Sequence, residues 1–265
     1  MTILCTYCKR PIEGEYTIAG NANYHTACYN SHVALKCCIC HNPINGTYLH
    51  DDWGNNACAH HTIKHCDSCN RITPLPAPVN GRYYCPGCTA TAANSTAAIP
   101  AVYKNILAVF TRYGINAPVG VPVHIVDKPT LTTAAKSINT PHLLGLAVTN
   151  THTSGLFGGK TFTHNIYILG GLPALEFEAV LAHELLHTWL NQYGVKMTDP
   201  ETEGFCNLGS YLVLTIAATK HAQQLMKKIK EDKSPVYGAG FRHMLTEVQC
   251  KGWTLLLTEI KARTG

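Results

Sequence analysis

The chain has 265 residues, 46% of them hydrophobic and 14% charged, a balance that supports a packed core and excludes disordered and fibrous chains. No apolar run is long enough to cross a bilayer, and the opening MTILCTYCKR lacks the basic-then-apolar order of an export signal. The expectation is a cytoplasmic protein with no membrane partner. The net charge of +5 falls further once thiolates and their metals are counted, so it makes no case for a nucleic-acid partner.

Thirteen cysteines and fifteen histidines exceed what packing uses, and an odd cysteine count without an export signal favours metal ligation over a disulfide framework. Eleven of the thirteen cysteines precede residue 89, and they repeat a pattern. CTYCKRPIEGEY starts at Cys5, CCICHNPINGTY at Cys37 and CDSCNRITPLPAPVNGRYY at Cys66. Each is a CxxC pair leading through Pro or Gly turns to an aromatic strand. Spacers of 16, 17 and 15 residues then separate these from a second pair: His25 and Cys28, Cys58 and His61, Cys85 and Cys88.

A CxxC turn sets two thiolates on one edge of a tetrahedron, and a returning hairpin brings the second pair, which is how structural zinc is held. The expected ligand sets are Cys5, Cys8, His25 and Cys28; Cys37, Cys40, Cys58 and His61; and Cys66, Cys69, Cys85 and Cys88. Spacing prefers Cys37 over its neighbour Cys38, and His61 over His60. Cys38, Cys206 and Cys250 are left over, the last two as core thiols of helical segments. Over residues 5 to 88 the ligand order resembles LIM domains, double zinc fingers that serve as protein-interaction modules. The linkers differ from that family: eight residues separate Cys28 from Cys37, and four separate His61 from Cys66. These are LIM-like modules.

Residues 1–95 are therefore expected to form three tandem LIM-like modules, and residues 96–265 a larger domain. The uncharged stretch TATAANSTAA, Thr89 to Ala98, reads as a connector. A small sheet is expected between about residues 121 and 169. Pro173 to Gln192, PALEFEAVLAHELLHTWLNQ, has the apolar period of a helix, with Pro173 near its start and Gly194 after its end.

That helix carries His183-Glu184-Leu185-Leu186-His187. Histidines four apart share a helix face and can bind one zinc, and the intervening glutamate can serve as general base toward water. A metzincin continuation would need glycine at 190 and histidine at 193, where the chain has Leu190 and Tyr193, so a third ligand comes from elsewhere. Thr198-Asp199-Pro200-Glu201 reads as a helix start, which gives Glu201 a structural task. Glu203, followed by an apolar stretch, is the preferred third ligand and Glu201 the alternative, with Asn207 a partner for a ligand histidine. Further helices are expected at about 203–232 and 240–262. His124, His142, His152, His164 and His221 have no ligand spacing. Asn165 to Leu169 alternates as an edge strand that can align an extended peptide.

The stretches VPVHIVDK (121–128), GLAVTN (145–150), NIYILGGLPALEFEAVLAHELLHTWL (165–190), ETEGFCN (201–207) and SPVYGAGFR (234–242) together resemble the carboxy-terminal peptidase of the plant "DA-one" growth regulators, which also carry LIM modules. The resemblance implies a zincin-like, mainly α (α+β) metallopeptidase domain behind the fingers. It also implies a gluzincin-type site, with His183, His187 and Glu203 on zinc and Glu184 as base. Thr202 stands where that family has a second glutamate before Glu203. Tyr237, within the family-like SPVYGAGFR, is the expected oxyanion donor, with His243 or Arg242 behind it.

The expected function is a zinc-dependent endopeptidase holding one catalytic and three structural zinc ions. It would act on protein or peptide substrates, recruit protein partners through its fingers, and work as a monomer. The alternative is a non-catalytic LIM-like adaptor on a pseudo-peptidase scaffold.

Overall fold

A computed structural model describes residues 2–135, 143–154 and 159–264. His142 lies outside the described residues. Contacts divide the chain into two units, Met1–Ala77 with Tyr83–Cys85, and Pro78–Arg82 with Pro86–Gly265.

The first unit is a run of short antiparallel ribbons. β1 (Tyr16–Ala19) pairs with β2 (Ala22–His25), β3 (Tyr48–His50) with β4 (Asn56–Cys58), and β5 (Ile63–His65) with β6 (Ile72–Pro74). A single helical turn, α1 (Thr26–Cys28), follows β2. Strands this short are barely stable as isolated pairs, and few large aliphatic side chains are buried in the unit. The cysteines take their place: Cys5, Cys37, Cys58, Cys66, Cys69 and Cys85 are all buried.

Asp51 ties two ribbons together. Its Oδ1 accepts from the Trp53 and Asn55 amides at 2.8 and 2.9 Å, and its Oδ2 accepts from Asn55 Nδ2 at 2.8 Å and from the Ile72 amide at 2.7 Å. Burial opposes ionisation, but these donors outweigh it and hold the carboxyl below its ordinary value. A depressed folded-state value stabilises the fold above the unfolded-state value and loses that contribution as pH falls through the folded one. Asp51→Ala is expected to cost about 1–3 kcal/mol in denaturant unfolding at neutral pH, with the gap to wild type narrowing as the solution is acidified below the ordinary carboxylate range.

The second unit is a mixed α/β region. It opens with α2 (Pro86–Ala90), α3 (Ile99–Arg112), β7 (Val123–Val126), α4 (Lys128–Ala135), β8 (Gly145–Ser154) and β9 (Gly159–Leu169). Four helical stretches follow: α5 (Ala174–Gln192), α6 (Asp199–Ala217), α7 (Lys220–Glu231) and α8 (Tyr237–Lys261), the last broken by a non-helical kink at Gly252 where a single helix was expected over 240–262. The sheet order is β7-β9-β8, with β9 parallel to β7 and antiparallel to β8. Trp189, Phe110, Phe205 and Phe241 are fully buried and anchor the core beneath the sheet.

Three further expectations change here. Asn165 to Leu169 belongs to β9, which is paired on both sides, so it offers no free edge; β8 and β7 are the edges. The helix expected over 203–232 is two, because Ala218 takes a left-handed φ of 50° and Thr219 caps a new start through the Ala222 amide. The stretch read as a connector is fastened: the Ala93 amide donates to Leu172 O at 2.8 Å and the Ala174 amide to Thr91 O at 3.0 Å. A small-residue composition conceals such ties because backbone groups make them. Nearby, Arg82 Nη2 meets Glu176 Oε1 at 2.7 Å in a largely buried ion pair.

Helix α6 lies unusually close to two neighbours. A Cβ on Gly204 would stand 2.3 Å from the Gly240 carbonyl, one on Gly240 would stand 2.0 Å from Pro200 O, and one on Gly209 would stand 2.8 Å from Ala182 O. Gly240→Ala must therefore push α6 and α8 apart. It should destabilise the chain by about 1–3 kcal/mol, read by thermal unfolding.

Candidate metal centre

The three CxxC turns fold alike. In each, the amide of the residue after the second cysteine returns to the first cysteine's carbonyl: Lys9 to Cys5, His41 to Cys37 and Asn70 to Cys66, at 2.9 Å in every case. Those three residues share a φ of 61°, a left-handed kink that turns the chain back toward its second ligand pair. The amides of Cys5, Cys37 and Cys66 close the turns onto the carbonyls of Arg10, Asn42 and Arg71.

Donor atoms then gather as three sets, each within 4.8 Å: Cys5, Cys8, His25 and Cys28; Cys37, Cys40, Cys58 and His61; Cys66, Cys69, Cys85 and Cys88. Cys38 and His60 stand outside them. His25 Nε2 donates to Pro11 O at 3.0 Å, which leaves Nδ1 facing Cys8 Sγ at 3.4 Å. His61 Nε2 is buried without a hydrogen-bond partner. Burial raises the Cys5 and Cys37 thiols, but backbone amides aimed at the sulfurs prevail and bring both to about 6. In the same two sets burial and the neighbouring sulfurs push Cys28 and Cys58 up to about 11, a crowding of like charge that a bound divalent cation would relieve.

A fourth gathering lies on the helices of the second unit. His183 and His187 stand one turn apart on α5, with their Nε2 atoms 3.1 Å apart. Glu203 Oε2, from α6, lies 3.2 Å from His183 Nε2 and 3.6 Å from His187 Nε2. Nitrogen and oxygen ligands at about 2.0–2.1 Å from a tetrahedral zinc are separated by about 3.3 Å, so this triangle fits the ion. His183 Nδ1 and Asn207 Oδ1 are 3.0 Å apart. The amide oxygen accepts from Nδ1, which leaves Nε2 facing Glu203 and free to turn a lone pair to a cation when one is bound. Burial opposes the charge on Glu203, but the two imidazoles outweigh it and keep the carboxyl well below its usual range.

Glu184 lies between these groups and the sheet, near enough to His187 and Glu203 to feel both charges. It is 6% exposed, and burial pushes its carboxyl up to about 7 against the pull of His187. A Cβ on Gly145, at the start of edge strand β8, would stand 2.6 Å from Glu184 Oε1. The edge strand is thus pressed directly onto the glutamate. Farther along it, Thr149 Oγ1 accepts from Asn191 Nδ2 at 3.0 Å and contacts His164 Nδ1 at 2.9 Å.

Glu201, the alternative third ligand, is engaged elsewhere. Its carboxylate accepts from the Thr198 amide at 3.0 Å, closing a capping box, and meets Arg263 Nη1 at 2.7 Å. Arg242 Nη1 donates to Lys230 O and Asp232 O at 2.9 and 2.8 Å, capping the end of α7. His243 is exposed. Tyr237 opens α8, half-buried, its amide donating to Ser234 Oγ.

Of the two thiols expected in the core, Cys206 is buried there and Cys250 is exposed instead. Cys206, read as a core thiol, comes within 4.8 Å of donor atoms of His183 and His187. The signal available was its position three residues after Glu203, on the same face of α6.

The architecture defines a class: LIM-like Cys/His clusters followed by a mixed α/β region with a His–His–carboxylate convergence. A family profile described as "DA1-like: Protein DA1" matches residues 132–226. Protein DA1 of Arabidopsis thaliana is 26% identical over 90% of this chain and 58% of its own length. LIM domain-containing protein HDR3 of Oryza sativa subsp. japonica is 25% identical over 98% and 68%, and Protein DA1-related 1 of Arabidopsis thaliana is 26% identical over 90% and 56%. No solved structure matches. The chain is thus similar to Protein DA1 over most of its own length, and spans 58% of the length of that protein. Among the described residues, no helix is long and apolar enough to cross a membrane.

Asn207→Ala should lower metal affinity at the His183–His187 site about 10- to 100-fold in chelator competition, leaving the three finger sites unchanged.

Proposed function

We propose that this chain is a zinc-dependent endopeptidase of the gluzincin type, with residues 96–265 as its hydrolytic domain and residues 1–95 as LIM-like modules that recruit protein partners. The observation that carries the reading is the triangle of His183, His187 and Glu203, with sides of 3.1, 3.2 and 3.6 Å, beside a buried glutamate. His183, His187 and Glu203 would hold the catalytic ion, and the three cysteine-rich sets the structural ones. When bound, zinc supplies Lewis acidity that polarises a peptide carbonyl and acidifies water.

The rest of the chemistry belongs to the chain. Glu184, its carboxyl raised to about 7 by burial, takes the proton from the attacking water and returns it to the leaving amine. Main-chain groups of edge strand β8 align the extended substrate, and Gly145 and Ala147 bring that edge next to Glu184. Tyr237 donates to the oxyanion from the head of α8. The packing of Gly240 against Pro200 and Gly204 fixes that helix against the one bearing Glu203.

Elemental analysis should find four zinc ions per chain in the wild type and three in His183→Ala. With fluorescent casein as substrate, Glu184→Gln should retain four zinc ions and lose about 10²–10⁴-fold in rate. A Glu184→Gln variant as active as the wild type would remove Glu184 as the general base, and a wild type that cleaves nothing would leave the non-catalytic adaptor as the reading.

A further inference from the structure

Edge strand β8 carries a polar cluster that the hydrolytic chemistry leaves unused. Gly145, Ala147 and Thr149 share one face of the strand, and that face lies on α5. Gly145 is against Val180 and Glu184 at one end, and Thr149 meets Asn191 at the other. Asn191 stands one turn beyond His187, so the helix face bearing the histidines runs on to it. Across the ladder Thr149 is paired with His164. Thr149 Oγ1 lies 3.0 Å from Asn191 Nδ2 and 2.9 Å from His164 Nδ1. The hydroxyl accepts from the amide, which leaves its single hydrogen for Nδ1. The ring proton of His164 is therefore on Nε2. Phe162, two residues back on the same face, lies parallel to the imidazole within 9°, with centroids 6.4 Å apart. His164 is half-buried, and burial lowers its pKa and favours the neutral ring. Among the described residues nothing bonds its Nε2. An imidazole held at Nδ1 and flanked by a ring presents its remaining N–H to whatever lies along the edge.

We propose that Thr149, His164 and Asn191 form a specificity subsite that selects substrates carrying an aspartate or glutamate a few residues from the scissile bond. This rests on the reading of the second unit as a peptidase and names the substrate class it takes. A strand advances about 3.4 Å per residue, which puts Thr149 about 14 Å along the edge from Gly145 and Glu184. A peptide extended along β8 has the same rise, so it brings to His164 a side chain about two to four residues from the bond being cut. The carboxylate of that side chain accepts from His164 Nε2, and the second hydrogen of Asn191 Nδ2 stands beside it. Hydrogen bonds with one ionised partner are roughly twice as strong as neutral ones. A lysine or arginine at the same place would bring more donors to donors. His164 touches the substrate and no reacting atom, so it sets which sequences are cut and takes no part in the proton transfers.

The full chain is tested on a library of random decapeptides, with the cuts located by mass spectrometry. The wild type is expected to cut where Asp or Glu occupies one fixed position within about four residues of the bond. Two fluorescence-quenched peptides are then made from the best-cut sequence, one with Glu at that position and one with Leu. Their kcat/KM ratio should favour Glu about tenfold, the effect of one hydrogen bond to a charged group. In His164→Leu the ratio should fall to near one, and in His164→Gln, whose amide N–H takes the place of Nε2–H, most of it should return. A merely structural role for His164 slows both peptides together and leaves the ratio as it was. A ratio unmoved by His164→Leu, or a wild type that selects Lys or Arg at that distance, overturns the subsite; cutting that still depends on Glu184 then leaves the peptidase reading standing. If the wild type cuts no member of the library, the peptidase reading and the inference fall together.

Discussion

The second unit depends on how closely α6 is allowed to approach its neighbours. Glu203 reaches the His183–His187 face because Gly204 and Gly240 remove the side chains that would separate α6 from α8, and Gly209 does the same against α5. Each glycine lowers helix propensity by about 1 kcal/mol relative to alanine, a cost accepted where backbones must nearly touch. The same approach delivers two different groups to the histidines: a carboxylate from Glu203 and, through Asn207, the amide oxygen that accepts from His183 Nδ1. Without that contact the HExxH helix would present two histidines and no third donor.

The first unit solves a different problem. Its ribbons of three and four residues bury little hydrocarbon, so the turns and their ligands supply what a core would. The left-handed kink at Lys9, His41 and Asn70 costs strain, most at Lys9, where no short polar side chain eases that conformation. Free energy of metal binding offsets it, and the threefold recurrence of one turn indicates that geometry, not residue identity, is what the modules share.

Spacing made the fingers legible in the sequence, since CxxC and its returning pair fix both donor identity and register, and four-residue periodicity did the same for His183 and His187. The capping box at Thr198 was equally open to reading, and it separated Glu201 from Glu203 before any distance was known. What stayed hidden lay in backbone contacts and in strand order. Asn165 to Leu169 alternates like an edge strand, yet alternation says which face is buried and nothing about which strand lies outermost. The break at Ala218 gave no signal because an alanine rarely takes a left-handed φ. Cys206 looked apolar because its neighbours in sequence are apolar, and it does lie in the hydrophobic core.

Asp51 gives the fingers a property that no single module has. One carboxylate closes the turn of the second ribbon pair and also receives the Ile72 amide, which lies just beyond the third CxxC. The turn around one metal site and the strand leaving the next are thus anchored to the same two oxygens. Loosening either module frees an acceptor on which the other relies, so the second and third modules gain and lose order together, and a ligand lost from one is felt by the ion in its neighbour.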